Sequence, residues 1–264
     1  MLKVLDLFSG IGGFSLGLER TGGFETVALC EIEKFPRKVL AKHWPEVPIT
    51  GDIRKLSYNR ETQELIYDGR VIYVGVIDVI TGGFPCQDIS VAGLQKGMTD
   101  ETRSGLWGEL LRLNSEIRPS YGLFENVSNL LAGPDRTGKW FARVLSDLAR
   151  RGYDAEWQNI PASAVGSPQS RQRVWIVAYP RGKRFQGSIF ERCRLCSVKG
   201  TSPTEFGDKC VPVGAEWPEL SAYLRVGDGL SRWSCEIKAL GNAVVPQIPE
   251  MIGYAILEAE AERA

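Results

Sequence analysis

The chain has 264 residues, 43% hydrophobic and 24% charged, which is the composition of an ordinary globular protein rather than a fibrous or disordered one. Its 32 basic and 32 acidic residues cancel, so the whole-chain charge gives no sign of a polyanionic partner. No apolar run approaches the ~20 residues that span a bilayer, and the N-terminal run Leu2–Phe8 is too short and too acidic for a secretion signal, so the expectation is a cytoplasmic protein with reduced cysteines and no membrane contact.

In chain order, Lys3 to Phe8 predicts a short apolar strand, followed by the turn Ser9-Gly10-Ile11-Gly12-Gly13 and a helix from about Phe14 to Arg20. Phe24 to Cys30 predicts a second strand, ending at the acid Glu31, and Ile49-Thr50-Gly51-Asp52 resembles the end of a third. Asp68-Gly69, between the alternating runs Leu65–Tyr67 and Arg70–Tyr73, signals a hairpin. Val76 to Ile80 predicts a buried strand that the following Gly82-Gly83-Phe84-Pro85 stops abruptly. A helix around Leu106–Ile117, a strand Tyr121–Phe124 ending at Glu125, a helix Trp140–Arg151 and strands Ala155–Ile160 and Val174–Ala178 complete the regular part. From Arg181 to about Ser234 the periodicity dissolves, and a final helix runs from Gln247 to Glu260. Strands alternating with helices predict an α/β fold with a mostly parallel, twisted, Rossmann-like sheet covered on both faces. The expected organisation is a core over 1–180, an irregular recognition region over 181–238, and a segment over 239–264 that returns to the core.

Three features carry chemistry. Cys86 stands on a Gly/Pro turn at a strand end, where open α/β sheets place ligands, so it is either a nucleophile or a small buried hydrophobe. The glycine turn after the first strand, with Glu31 lying 21 residues beyond Gly10, suits a nucleoside-containing cofactor whose ribose the acid would hold. Position 15 is Ser15, not the third glycine of the dinucleotide fingerprint, which favours S-adenosylmethionine over NAD. Phe8 could then offer its ring to the adenine and Asp52 could accept from the adenine amino group. Finally, eight basic residues face one acid between Ser167 and Gly200, either a phosphate-contacting patch or a solvated loop. Cys193-x-x-Cys196, with Cys210 and Cys235, lacks the second close pair of a zinc site, so no metal is expected.

Phe8-Ser9-Gly10-Ile11-Gly12, Pro85-Cys86-Gln87, Glu125-Asn126-Val127, Gln169-Ser170-Arg171-Gln172-Arg173 and Gly241-Asn242-Ala243-Val244-Val245-Pro246 follow one another in the order found in one family. Over roughly 1–180 and 239–264 the chain resembles the DNA cytosine-5 methyltransferases, particularly small bacterial and phage-type members. That resemblance implies methyl transfer from S-adenosylmethionine, leaving S-adenosylhomocysteine, to carbon 5 of a cytosine flipped out of duplex DNA. It makes Cys86, Glu125 and Arg173 the catalytic group. It places Phe8, Gly10, Gly12, Glu31, Ile32, Asp52, Ile53, Pro85, Asn242 and Ala243 around the cofactor. It places Gln87, Ser90, Gln169 and Arg171 at the DNA, to which the local charge adds Arg181, Lys183, Arg184, Arg192 and Arg194.

The recognition region is short for this family, with about 60 residues between Ala178 and Gly241. A monomer is the simplest expectation, with a dimer or helper subunit as the alternative that so short a region raises. Methylation of transfer RNA, a non-catalytic DNA-binding relative and an NAD-dependent oxidoreductase are the competing functions.

Overall fold

The computed structural model describes residues 1–84, 106–132, 138–167, 171–183, 187–193, 239 and 241–263. Its strands are β1 (Leu2–Leu7), β2 (Phe24–Cys30), β3 (Ile49–Thr50), β4 (Leu56–Asn59), β5 (Glu64–Tyr67), β6 (Arg70–Val74), β7 (Val79–Gly83), β8 (Tyr121–Val127), β9 (Tyr153–Pro161) and β10 (Gln172–Pro180). The helices are α1 (Gly13–Arg20), α2 (Lys34–His43), α3 (Leu106–Ile117), α4 (Asn129–Ala132), α5 (Lys139–Arg150), α6 (Ile189–Arg192) and α7 (Gln247–Ala261).

A seven-stranded sheet has the order β3-β2-β1-β7-β8-β10-β9. The first five strands pair in parallel, whereas β10 runs antiparallel to both its neighbours. Central strands read as continuous apolar runs because both faces are covered. Alternation still decides which residue goes where: Val174, Ile176 and Ala178 of β10 join the layer of α3 and α5, while Trp175 and Val177 join that of α1 and α7. Helix α5 shows why such a segment is helical here, since its buried Phe141, Val144 and Leu148 fall on one stripe of a 3.6-residue period. The chain passes from β1 outward to β2 and β3, then returns to lay β7 on the other side of β1. The carboxyl ends of β1 and β7 therefore flank a topological switch point, the usual ligand crevice of an open α/β sheet.

Several elements differ from the sequence expectation. The strand expected at Val76–Ile80 is displaced to Val79–Gly83, so the two glycines lie within the sheet rather than stopping it. Gly82 pairs with both Leu7 and Phe124, and Gly83 pairs with Glu125. A Cβ on Gly82 would stand 3.0 Å from Leu110 Cδ1 and 3.3 Å from the Leu7 carbonyl oxygen, and one on Gly83 would stand 3.2 Å from Glu125 Oε2. Glycine is needed there for close packing, not for a turn. The expected hairpin exists, but β4 joins it to make a separate three-stranded antiparallel sheet in the order β4-β5-β6. Helix α2 is an addition: only its Pro36 and Leu40 are buried, and so sparse an apolar stripe gives little periodic signal.

Helix α7 packs on α1, with Gly17 of α1 lying directly against the Pro246 carbonyl and Gly13 against that of Val244. Among the described residues, no helix is long and apolar enough to cross a membrane.

Candidate active site

The turn after β1 is shaped by three left-handed residues, Phe8 (φ 54°), Gly10 (φ 56°) and Gly12 (φ 89°). Gly10 has open space on its Cβ side, whereas the same position on Gly12 is filled by the Trp44 ring. Ser9 ties the turn down: its hydroxyl donates to the Asp6 carbonyl oxygen at 2.7 Å and accepts the Cys30 N–H at 3.2 Å. Glu31, at the end of β2, accepts the Gly10 N–H at 2.8 Å on one oxygen and the Glu33 N–H at 2.7 Å on the other. A carboxylate has about four lone-pair sites, so Glu31 keeps acceptor capacity while its orientation is fixed by backbone. That chemistry fits the vicinal hydroxyls of a ribose. Nearby, Ile32 is largely exposed and Ile53 is buried. Asp52 accepts the Arg54 N–H at 3.0 Å and pairs with its guanidinium at 2.7 Å, which holds the carboxyl below its ordinary value.

Beneath this turn lies a residue that the sequence reading missed. Asp6 is fully buried on the α1 face of β1, accepting the Ser15 hydroxyl at 2.8 Å and the Thr81 hydroxyl at 2.7 Å. Burial pushes its carboxyl up to about 6, against the opposing pull of those two hydroxyls. An acid in the middle of an apolar strand was the available signal.

Across the switch point, the end of β8 presents Glu125. Parallel pairing sets it beside Gly83 of β7, and antiparallel pairing sets it opposite Trp175 of β10. Arg173, two residues before Trp175 on the same face, places Nε 2.8 Å from Glu125 Oε1. Burial raises the Glu125 carboxyl above its ordinary value, and the charges of Arg173 and Arg171 only partly oppose the shift. Arg171 points inward: Nη1 donates to the Ala243 carbonyl oxygen at 2.9 Å, tying the end of β10 to the segment that precedes α7. Burial, with the nearby Arg173 charge, lowers the Arg171 pKa. Glu125, Arg171, Arg173, Trp175, Ala243 and Val244 line one narrow cleft. Two buried donors in its wall, Arg171 Nε and the Trp175 indole N–H, have no acceptor among the described residues. A cleft with a raised carboxyl group and guanidinium donors suits a planar ligand edge that carries a basic ring nitrogen beside a carbonyl oxygen.

Glu125, Arg171 and Arg173 therefore converge, near an exposed Asn242 and a half-buried Ala243. Arg181, Lys183 and Arg192 do not join them. Arg181 follows the last residue of β10, eight residues and about 26 Å at strand rise from Arg173, and its guanidinium donates to the Ala149 carbonyl oxygen. Lys183 pairs with Glu260 at 2.7 Å and sits over the Tyr121 ring, and Arg192 pairs with Glu262 and Glu258. Lys183 and Arg192 thus pair with acids of α7 and its C-terminal end, and Arg181 is tied to α5, so the three lie at the opposite end of the sheet from Glu125 and Arg173. Pro85, Cys86, Gln87, Ser90, Gln169, Arg184 and Arg194 lie outside the described residues, as do Cys196, Cys210 and Cys235. Cys193 is buried, its thiol directed at the Met251 carbonyl, and burial pushes it up to about 12.

Residues 2–206 match the family model described as C-5 cytosine-specific DNA methylase. The type II methyltransferase M.Bsp6I of a Bacillus species is 36% identical over 191 residues, covering 72% of this chain and 56% of that protein. The type II methyltransferase M.AluI of Cellulosimicrobium cellulans is 37% identical over 241 residues, covering 87% and 44%. The chain thus spans about half the length of the curated relatives it matches. Among solved structures, a chain described as a DNA modification methyltransferase encoded within an Escherichia coli prophage superposes with a TM-score of 0.55 at 28% identity, covering 71% of this chain and 49% of that one. The S. pombe Dnmt2 methyltransferase shares the fold, with a TM-score of 0.53 at 19% identity over 78% of this chain and 58% of its own.

Proposed function

The chain therefore belongs to the C-5 cytosine-specific DNA methylase family, and on that premise we propose that it methylates carbon 5 of cytosine in duplex DNA, using S-adenosylmethionine. The observation that carries the reading is the pairing of buried Glu125 with half-buried Arg173 at the carboxyl end of β8, beside the end of the strand that leads to Cys86.

On this reading the target base is turned out of the duplex, because its ring carbons cannot be reached inside the stack. The Cys86 thiolate adds to carbon 6, breaking the 5,6 double bond and making carbon 5 nucleophilic. Glu125, its carboxyl raised by burial, donates a proton at ring nitrogen 3, so that negative charge does not accumulate on the ring. Arg173 holds the exocyclic oxygen at position 2, as an electrostatic clamp. Once carbon 5 is alkylated, solvent water takes its proton, the double bond re-forms as the Cys86 thiolate leaves, and the Glu125 carboxylate takes back the proton from ring nitrogen 3. S-adenosylmethionine, when bound, supplies an electrophilic sulfonium methyl. Glu31 would hold its ribose, Phe8 and Asp52 its adenine, and the backbone around Gly10, Gly12, Asn242 and Ala243 would approach the rest. Arg171 acts by pinning Ala243. The relatives named as type II methyltransferases support a restriction-modification role in a bacterial cytoplasm.

Bisulfite sequencing of a plasmid co-expressed with the protein tests the reading. Methylation at one discrete sequence, abolished by Cys86→Ala, is expected. Wild-type turnover by Cys86→Ala would refute the covalent route, and methylation of transfer RNA alone would replace the substrate.

A further inference from the structure

We propose that Asn126 is a positioning residue for the nucleophile, fixing the carbonyl of Phe84 and with it the start of the segment that carries Cys86. The inference rests on the methyltransferase reading above and extends it to a residue which that reading leaves without a role.

Asn126 is 2% exposed, and both ends of its carboxamide are engaged. Nδ2 donates to the Phe84 carbonyl oxygen at 3.0 Å, and Oδ1 accepts the Val127 N–H at 2.9 Å. A carboxamide satisfies both partners: a carboxylate would turn an acceptor toward a carbonyl oxygen, and an aliphatic side chain would take this bond from the buried Phe84 carbonyl and from the part-buried Val127 N–H. Phe84 is thus held twice. Its backbone is tied to β8, and its buried ring packs 4.8 Å from that of Trp107, which meets Phe124 of β8 edge-on at 5.5 Å.

The placement matters because neighbouring residues of a strand project to opposite faces. Glu125 presents its carboxyl to Arg173 on one face of β8, and Asn126 grips the end of β7 from the other. Cys86 follows Phe84 by two residues, a chain reach of at most about 7 Å. One dipeptide of β8 therefore sets both the acid and the origin of the thiol segment. A shift at Phe84 moves the point from which the thiol segment starts.

The test uses the full chain with Asn126→Ala and the isosteric Asn126→Asp, which keeps the shape of the site should the alanine variant fail to fold. Three readouts are taken: cofactor affinity by calorimetry, the rate of forming a denaturant-resistant adduct with 5-fluorocytosine-containing duplex in the presence of S-adenosylmethionine, and hydrogen exchange over residues 79–87. Adduct formation slowed about a hundredfold, with cofactor affinity unchanged and faster exchange in that peptide, supports the proposal. A lowered melting temperature with wild-type adduct rates would show a merely structural role and overturn it. If the wild-type protein forms no adduct, the methyltransferase reading fails, and exchange alone then decides: faster exchange retains Asn126 as the clamp on Phe84, whereas unchanged exchange removes it.

Discussion

Glu125 and Arg173 lie 2.8 Å apart at the ends of adjacent antiparallel strands, and yet burial outweighs the guanidinium and keeps the Glu125 carboxyl above its ordinary value. Neither effect alone would serve a proton donor. Desolvation without a cation would leave the group neutral over a wide pH range, and a cation without desolvation would keep it ionised. The two opposing influences leave the carboxyl able to change state when a ligand rearranges its neighbours.

Arg173→Ala removes the larger of the two charges that hold the Glu125 carboxyl down. Its pKa must then rise further. On the proposed mechanism Glu125 is the proton donor, so the alkaline limb of the kcat profile moves to higher pH. At the same time the lost clamp on the base lowers kcat by about a hundredfold or more. Single-turnover methylation from pH 6 to 9 checks both effects; an unmoved limb would separate Glu125 from the proton transfer.

Asp6 sets the sign of another pH dependence. Its folded pKa is about 6 against an ordinary 3.8, chiefly through burial, with Glu31 adding a small push in the same direction. The native state therefore binds the proton more tightly than the unfolded chain. The stabilisation is complete below pH 4 and is lost as pH rises through 6, a change of about 3 kcal/mol for about two pH units. Asp6→Asn should abolish that pH-dependent component. Urea midpoints of both proteins between pH 4 and 7 decide it: parallel curves would mean that Asp6 does not titrate as described.

Much of this was legible in the chain, for reasons that particular residues make plain. Asp68-Gly69 marked its hairpin and Glu31 its strand end, because turn chemistry and strand-end polarity are local. Gly82-Gly83 misled, because a glycine required by a neighbouring strand looks the same as a glycine required by a turn. The family resemblance implied that Glu125 and Arg173 meet, but the β8–β10 register that brings them together is revealed by no spacing. Lys183 looked like a phosphate ligand because Glu260, its partner, belongs to a helix at the far end of the chain.

Gly83 offers a local test of the strand-end geometry. A methyl group there would stand 3.2 Å from Glu125 Oε2, close enough that the carboxyl must shift. Gly83→Ala should lower methyl transfer about tenfold or more while cofactor affinity holds, since small misplacements of a reacting group are costly. Gly82→Ala meets Leu110 and the Leu7 carbonyl instead, so it should lower stability by about 1–3 kcal/mol. Equal losses of rate in the two variants, measured below their melting temperatures, would argue against a specific contact at Glu125.

The cations at the opposite end of the sheet yield the final test. Lys183 is half-buried, lies 3.8 Å from the Tyr121 ring centroid and pairs with Glu260, whose carboxyl also accepts the Tyr121 hydroxyl at 2.6 Å. Lys183→Ala leaves that carboxylate with one cation fewer and opens space under α7. A loss of about 1–3 kcal/mol is expected. DNA affinity and its salt dependence should not change, because a residue that neutralises no phosphate releases no counterion. Denaturant titration and filter binding at several salt concentrations measure the two quantities separately. A shallower salt slope in Lys183→Ala would return this lysine to the DNA-binding surface and place DNA at both ends of the sheet.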